Sequence, residues 1–250
     1  MLPGIALTPV AAGRPAARAP RELRIGGITP FTSIDFPGKL SAVLYVQGCP
    51  WRCGYCHNPH LQQRGTPVHM HWDDTLQWLR KRVGLIDAVV FSGGEPTTDP
   101  MLEPAMRDVR GLGLAVGLHS AGTHPRHFGQ VLPLADWVGL DVKAPLCDPD
   151  AYARLTGIAG SAESTAACLR SLIASGVAYE TRTTAHAHWL DDGALLRLAQ
   201  DLRARGVTHH VLQIARSTDT CQAPAMPDYP AAATLDALQA LFPSFTVRRE

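Results

Sequence analysis

Short apolar runs alternate with longer segments of helical periodicity along nearly the whole chain. Residues 41–46 (Ser-Ala-Val-Leu-Tyr-Val) form a run closed by Gly48, the pattern of a strand buried on both faces. Residues 72–83 place Leu76, Leu79 and Val83 at helical spacing among charges, with Gly84 as a stop. The alternation continues with strands over 86–91, 114–118, 137–142, 177–183 and 209–215, and helices over 102–110, 126–132, 161–174 and 192–205. Ser161 is placed to cap its helix and Gly176 to close it. A helix over 235–242 and a strand over 245–247 end the series, and residues 23–28 can add a strand before it. No composition shift or short-period repeat divides the chain.

Strands alternating with helices predict βαβ units and a parallel sheet. About six such units fit either an open doubly wound sheet or an incomplete barrel, and both put their chemistry at the carboxyl ends of strands. The chemically notable residues fall there. Cysteines follow the first strand, Gly93-Gly94-Glu95 the second, and His119-Ser120 the third. Asp141 and Lys143 lie at the fourth, Arg182 at the fifth and Gln213 at the sixth. That shared placement predicts one active site.

Composition narrows the function classes. With 23 Lys plus Arg against 22 Asp plus Glu, the net charge is +1, which argues against a nucleic-acid binder relying on a broad basic surface. No uncharged stretch reaches the roughly 18 residues of a membrane-spanning helix. Residues 2–12 are weakly apolar but broken by Pro3 and Pro9, and Arg14, Arg18 and Arg21 follow instead of preceding them. That order is the reverse of a secretory signal. Residues 1–21 therefore read as a flexible leader, 22–250 as the folded domain, and the cytoplasm as the expected location.

Cys49, Cys53 and Cys56 crowd into eight residues, whereas Cys147, Cys168 and Cys221 are scattered and read as ordinary thiols. The crowded thiols suit a soft metal, either zinc or an iron–sulfur cluster. Structural zinc wants a fourth ligand, such as Cys221 or a histidine. Three thiolates on a four-iron cluster leave one iron open to an outside ligand. The pairs His69/His71 and His186/His188 lack an evident third ligand, and His57 and Asn58 read as shaping the cysteine loop.

Cys-x3-Cys-x2-Cys with an aromatic before the last cysteine resembles the radical S-adenosylmethionine superfamily. Three further segments sharpen the likeness: Arg24 to Phe31, Asp35-Phe36-Pro37-Gly38-Lys39, and Cys56-His57-Asn58-Pro59. With Gln47-Gly48-Cys49 and Ser92-Gly93-Gly94-Glu95-Pro96, they resemble the activating proteins of glycyl-radical enzymes, the subgroup acting on anaerobic ribonucleoside-triphosphate reductase above all. The resemblance covers roughly residues 23–215. It implies an α/β fold, a partial (β/α)6 barrel with a mostly parallel sheet. It also implies a [4Fe–4S] cluster on Cys49, Cys53 and Cys56, with S-adenosylmethionine chelating the open iron through its amino and carboxylate groups. One electron from the cluster then breaks a carbon–sulfur bond and yields a 5′-deoxyadenosyl radical. Residues 61–70 contain no cysteine, so a single cluster is expected.

The same resemblance makes Gly93 and Gly94 the loop facing the methionine part, with Glu95 either orienting that loop or touching the ammonium. Asp141 and Lys143, two apart on one side of an extended chain, can face a hydroxyl or ammonium and a carboxylate. Each also reads as half of a plain salt bridge. Arg182 can meet a carboxylate with bidentate geometry or sit in a buried ion pair. Ser120 is the nearest substitute for the ribose-binding amide that such activators often carry and this chain lacks. Tyr55 packs near the adenine or walls off the cluster.

The implied partners are a glycyl-radical enzyme as protein substrate, anaerobic ribonucleotide reductase first, and flavodoxin or ferredoxin as electron donor. Nucleic acid and membrane are not expected. The competing readings are a radical enzyme acting on a small molecule, such as a 7-carboxy-7-deazaguanine synthase, and a zinc or electron-transfer protein without catalysis of its own.

Overall fold

The computed structural model describes residues 22–64, 70–215 and 228–249. The expected leader lies outside the described residues, as do His69 and Cys221. Eight strands form one sheet in sequential order: β1 (Ile25–Thr32), β2 (Ser41–Val46), β3 (Ala88–Gly93), β4 (Ala115–Ser120), β5 (Trp137–Asp141), β6 (Ala178–Ala185), β7 (His209–Ile214) and β8 (Ser244–Arg248). β1 is antiparallel to β2, and every later neighbour pair is parallel. The crossovers carry α1 (Trp72–Arg80), α2 (Leu102–Gly111), α3 (Pro125–Val131), α4 (Pro149–Thr156), α5 (Ser161–Ser175), α6 (Asp192–Ala204) and α7 (Ala232–Leu241). Among the described residues no helix is long and apolar enough to cross a membrane.

The sequential order decides between the two architectures left open by the pattern. A doubly wound sheet reverses direction at a switch point. Here each crossover steps the same way, so with crossovers of the usual hand the helices share one face and the sheet curls into a barrel left open between β1 and β8. Alternate residues of each strand serve the two faces. Leu44, Phe91, Leu118 and Leu140 point outward into the main core, against Leu79, Met106, Phe128 and Leu169 of the helices. Burying each such side chain contributes about 1.5–3 kcal/mol. The inner face carries a small second core of Val43, Ala88, Val90 and Trp137, covered by Phe36 from the β1–β2 loop.

Three details depart from the pattern reading. Helix α1 ends at Arg80 with Lys81 as its cap, so Gly84 does not stop it and Val83 lies beyond it, half-exposed and bridged to Ile86. Ser161 does not cap α5. Gly160 holds the cap position, and the Ser161 hydroxyl pairs with Thr156 Oγ1 at 2.8 Å. Helix α4 has no counterpart in the predicted elements, although its ends are marked. Asp148 accepts from the Ala151 amide, Pro149 opens the first turn, and Gly157 closes the last.

Candidate active site

The strand ends converge on one cleft of about 290 Å³. It is lined by Cys49, Cys53, Tyr55 and Cys56 after β2, Gly93 and Gly94 at the end of β3, His119 and Ser120 at β4, Asp141 and Lys143 at β5, Arg182 on β6 and Gln213 on β7. Of the cofactor-site residues expected from sequence, Glu95 alone stays behind the wall, fully buried.

The cysteine loop hangs from two footings. At one end Gly48, with φ +102°, donates to the Leu61 carbonyl at 2.7 Å, and Cys49 donates to Gln62 at 3.1 Å. At the other, the amides of Arg52 and Gly54 donate to Thr156 at 2.8 Å and Leu155 at 3.2 Å. These are carbonyls of the last turn of α4, which lack partners within their own helix. Trp51 packs edge-on to Tyr152, and Trp189 fills the space beside Gly54. Burial, with the nearby Glu95 charge, pushes the Cys49 thiol up to about 12, and burial also raises Cys53. Such thiols ionise when a metal takes the charge.

Gly93 and Gly94 cross the cysteine loop backbone on backbone. A Cβ at 94 would sit 2.5 Å from the Gly48 carbonyl oxygen, and one at 93, where φ is +115°, would sit 2.5 Å from the Val46 amide. The close approach that requires glycine is thus to the end of β2 at Gly93 and to the cysteine loop at Gly94. The Gly94 and Glu95 amides donate to the Val46 and Gly48 carbonyls at 2.9 and 2.8 Å, and the Glu95 side chain braces the crossing. Its Oε1 accepts from the Thr97 amide and hydroxyl and from Ser120 Oγ at 3.1, 2.6 and 2.8 Å, and its Oε2 accepts from the Ala121 amide at 2.7 Å. Burial pushes this carboxyl up, against the four donors that favour its ionised form. Glu95 therefore orients the loop. Ser120, whose hydroxyl hydrogen goes to Glu95, keeps only acceptor capacity.

Charges line the opposite wall. Lys143 Nζ stands 3.2 Å from Asp141 Oδ2, and Arg182 Nε stands 3.4 Å from Oδ1. Burial favours a neutral Asp141, but Lys143 and Arg182 outweigh it and hold the carboxyl below its ordinary range. Burial likewise opposes the Lys143 charge, and Asp141 outweighs it, keeping the ammonium firmly protonated. Its Nζ lies 5.7 Å from the centroid of Tyr55, whose ring stacks on His186 and whose buried hydroxyl has no hydrogen-bond partner among the described residues. Further out on β6, Arg248 of β8 grips Glu180 with two bonds of 2.8 and 2.9 Å.

Pattern reading missed Tyr45, Ser92 and Thr184 as lining residues. Each lies on the inward phase of its strand, and counting by twos from Val43, Val90 and Arg182 reaches them. It also missed Asp35, which the β1–β2 loop folds over the concave face until its carbonyl lies 2.9 Å from His119 Nε2.

The arrangement offers three soft thiols on one rim, a glycine crossing, and a cationic wall partly neutralised by one carboxylate. Among the described residues no three His, Cys, Asp or Glu side chains gather tightly enough for a single ion. Thiols spread along a loop suit separate irons of one cluster better than one zinc, and the cationic wall suits a ligand bearing a carboxylate.

Comparison with known proteins agrees. Residues 43–199 match the family model described as the radical SAM superfamily. A Methanocaldococcus jannaschii protein named among the glycyl-radical enzyme activating enzymes is 36% identical over 135 residues, covering 51% of this chain and 52% of its own. The pyruvate formate-lyase-activating enzyme of Clostridium pasteurianum is 30% identical over 139 residues, covering 54% and 57%. The chain thus spans about half the length of the curated relatives it matches. Among solved structures, Streptococcus suis SuiB bound to S-adenosylmethionine superposes with a TM-score of 0.65 at 12% identity, covering 82% of this chain and 48% of that one. QueE from Escherichia coli does so at 0.55 and 15%, covering 92% and 95%. A family match over more than half the chain, on a sequentially wound half-barrel with three cysteines at the first strand end, leaves one assignment: the chain belongs to the radical SAM superfamily, whose cofactors are a [4Fe–4S] cluster and S-adenosylmethionine.

Proposed function

We propose that this chain is an activating enzyme that reductively cleaves S-adenosylmethionine to a 5′-deoxyadenosyl radical and takes a hydrogen atom from a backbone glycine of a partner glycyl-radical enzyme. The observation that carries the reading is the convergence of the strand-end residues with the three cysteines on one cleft. Cys49, Cys53 and Cys56 hold the cluster in this reading, and the cluster supplies the electron that opens the sulfonium carbon–sulfur bond.

The remaining residues bind and align. Gly93 and Gly94 present bare backbone to the methionine part of the ligand. Lys143, fixed in its charged form, and Arg182 draw its carboxylate, while Asp141 is left to meet an ammonium or a hydroxyl. Ser120 offers an acceptor toward the ribose. Tyr55 and Trp51, both buried, keep water from the cluster side. Anaerobic ribonucleotide reductase is the partner favoured by the segments 24–31 and 35–39, and flavodoxin or ferredoxin is the matching class of electron donor.

The test is anaerobic reconstitution of the full chain. About four irons, a brown visible band and reductant-dependent release of 5′-deoxyadenosine and methionine are expected. Incubation with anaerobic ribonucleotide reductase, with pyruvate formate-lyase, or with the small-molecule substrate of a 7-carboxy-7-deazaguanine synthase then separates the partners by the glycyl-radical resonance. Cofactor cleavage with turnover of the small molecule, and no protein radical, would replace this reading.

A further inference from the structure

Arg182 places its guanidinium in the space that Gly139 leaves open on β5. The residue is only 7% exposed, so its donors must be met from within the protein or by a ligand. The protein meets few of them. Nη2 donates to the Gly139 carbonyl at 3.3 Å and Nη1 lies 3.3 Å from His119 Nε2. Buried Nε has no hydrogen-bond acceptor among the described residues, only the charges of Asp141 at 3.4 Å and Glu180 at 4.0 Å. A guanidinium so sparsely bonded retains the capacity to take an anion.

His119 is drawn two ways. Its Nε2 lies 2.9 Å from the Asp35 carbonyl oxygen, which can only accept, and 3.3 Å from Arg182 Nη1, which can only donate. Its Nδ1 lies 3.2 Å from Ser92 Oγ, which can do either. Burial and the Arg182 charge hold this ring neutral, with its pKa lowered to about 3, so it carries a single N–H. With the hydrogen on Nε2 the ring bonds Asp35 and turns that N–H toward the guanidinium. With the hydrogen on Nδ1 it accepts from Arg182 and donates to Ser92, and the Asp35 carbonyl at 2.9 Å is left facing a nitrogen without a hydrogen.

We propose that His119 is a positioning residue that changes tautomer on binding: it accepts from Arg182 in the free protein, and donates to the Asp35 carbonyl once a ligand carboxylate takes the guanidinium. The hydrogen moves from Nδ1 to Nε2 of the same ring, with no net gain or loss. This rests on the reading that the cleft takes S-adenosylmethionine. The β1–β2 loop responds as a result. Phe36, next to Asp35, already packs on Trp137 with ring centroids 5.4 Å apart and lies over Gly117, so a hydrogen gained on Nε2 turns the existing 2.9 Å approach of Asp35 into a bond that strengthens the hold of that loop on the concave face.

The experiment is nitrogen-15 NMR of histidine-labelled, cluster-bearing protein, with the His119 signals identified by their loss in His119→Gln. The ring should carry its hydrogen on Nδ1 in the free protein and on Nε2 with S-adenosylmethionine. It should stay unchanged with 5′-deoxyadenosine, which has no carboxylate. Arg182→Met should show the Nε2–H form before any ligand is added. By calorimetry, His119→Phe should bind S-adenosylmethionine about ten-fold more weakly and 5′-deoxyadenosine equally well. One tautomer throughout, with S-adenosylmethionine bound, overturns the relay and leaves the functional reading standing. An equal loss of affinity for both ligands also overturns it, since that marks a merely structural ring. No binding of S-adenosylmethionine at all overturns the functional reading, and the relay with it.

Discussion

The loop that carries the three cysteines is tied down almost wholly through its backbone, to residues 61–62 on one side and to the last turn of α4 on the other. The loop beside it, Gly93 to Glu95, has two backbone bonds, from the Gly94 and Glu95 amides to the Val46 and Gly48 carbonyls at 2.9 and 2.8 Å. It adds to them a buried side chain, the Glu95 carboxylate, which gathers donors from Thr97, Ser120 and Ala121. The difference follows from what each presents. A loop whose side chains must meet a metal is best anchored by peptide groups, which leaves the thiols uncommitted. A loop that presents its backbone to the cleft commits fewer peptide groups to anchoring, and its own buried carboxylate supplies the rest.

The sharpest way to break this contrast is to remove a presented group. Cys53→Ala should abolish the intact cluster, read as iron content and visible absorption after anaerobic reconstitution. Cys168→Ala, which touches a buried thiol on α5, should leave both unchanged. Iron lost from the second variant would mean the ligand set is wrong.

Removing the anchor is the next largest change. In Glu95→Gln the amide nitrogen must face at least one of the donors now served, so a loss of about 2–3 kcal/mol is expected in urea unfolding. Unchanged stability would show that the carboxylate is not the anchor. A control away from both loops is His210 on β7, buried between Thr181 and the rings of Phe242 and Phe245, with its pKa lowered to about 3 by burial. It is neutral when folded and takes a proton on unfolding below its ordinary value of 6.5, so stability falls as pH drops from 6.5 toward about 3. At about pH 5 this amounts to about 2 kcal/mol, which His210→Phe should recover; an unaltered acid profile would place the acid weakness elsewhere.

Gly94→Ala, forced against the Gly48 carbonyl, should destabilise by about 1–2 kcal/mol and loosen cofactor binding without lowering iron content. The smallest effect is expected of Arg64→Ala. Arg64 lies against Gly48 and pairs with Asp99 at 2.8 Å, a tie between the two loops, but it is 44% exposed and solvent screens the pair. A loss under about 1 kcal/mol is expected, diminishing in salt.

Most of this was legible in the order of residues. Apolar runs marked the strands because parallel strands are buried on both faces, and the cysteine spacing marked the loop. What pattern reading could not supply was convergence. Nothing local to Glu95 says whether it faces a ligand or a neighbour; Ser120 at the end of the next strand and Ala121 just after it bind its carboxylate. Nothing local to Arg182 shows that Gly139 makes room for its guanidinium. Helix α4 is a different case. Asp148, Pro149 and Gly157 marked its ends, but eight residues give too little periodicity to stand out.

The barrel that stops short of closing has one more consequence. A closed ring of strands admits only what can pass through its mouth, whereas the gap between β1 and β8 is a slot along the side. A bend of polypeptide still joined at both ends to a large folded body cannot be threaded through a hole, but it can be laid sideways into a slot and lifted out again.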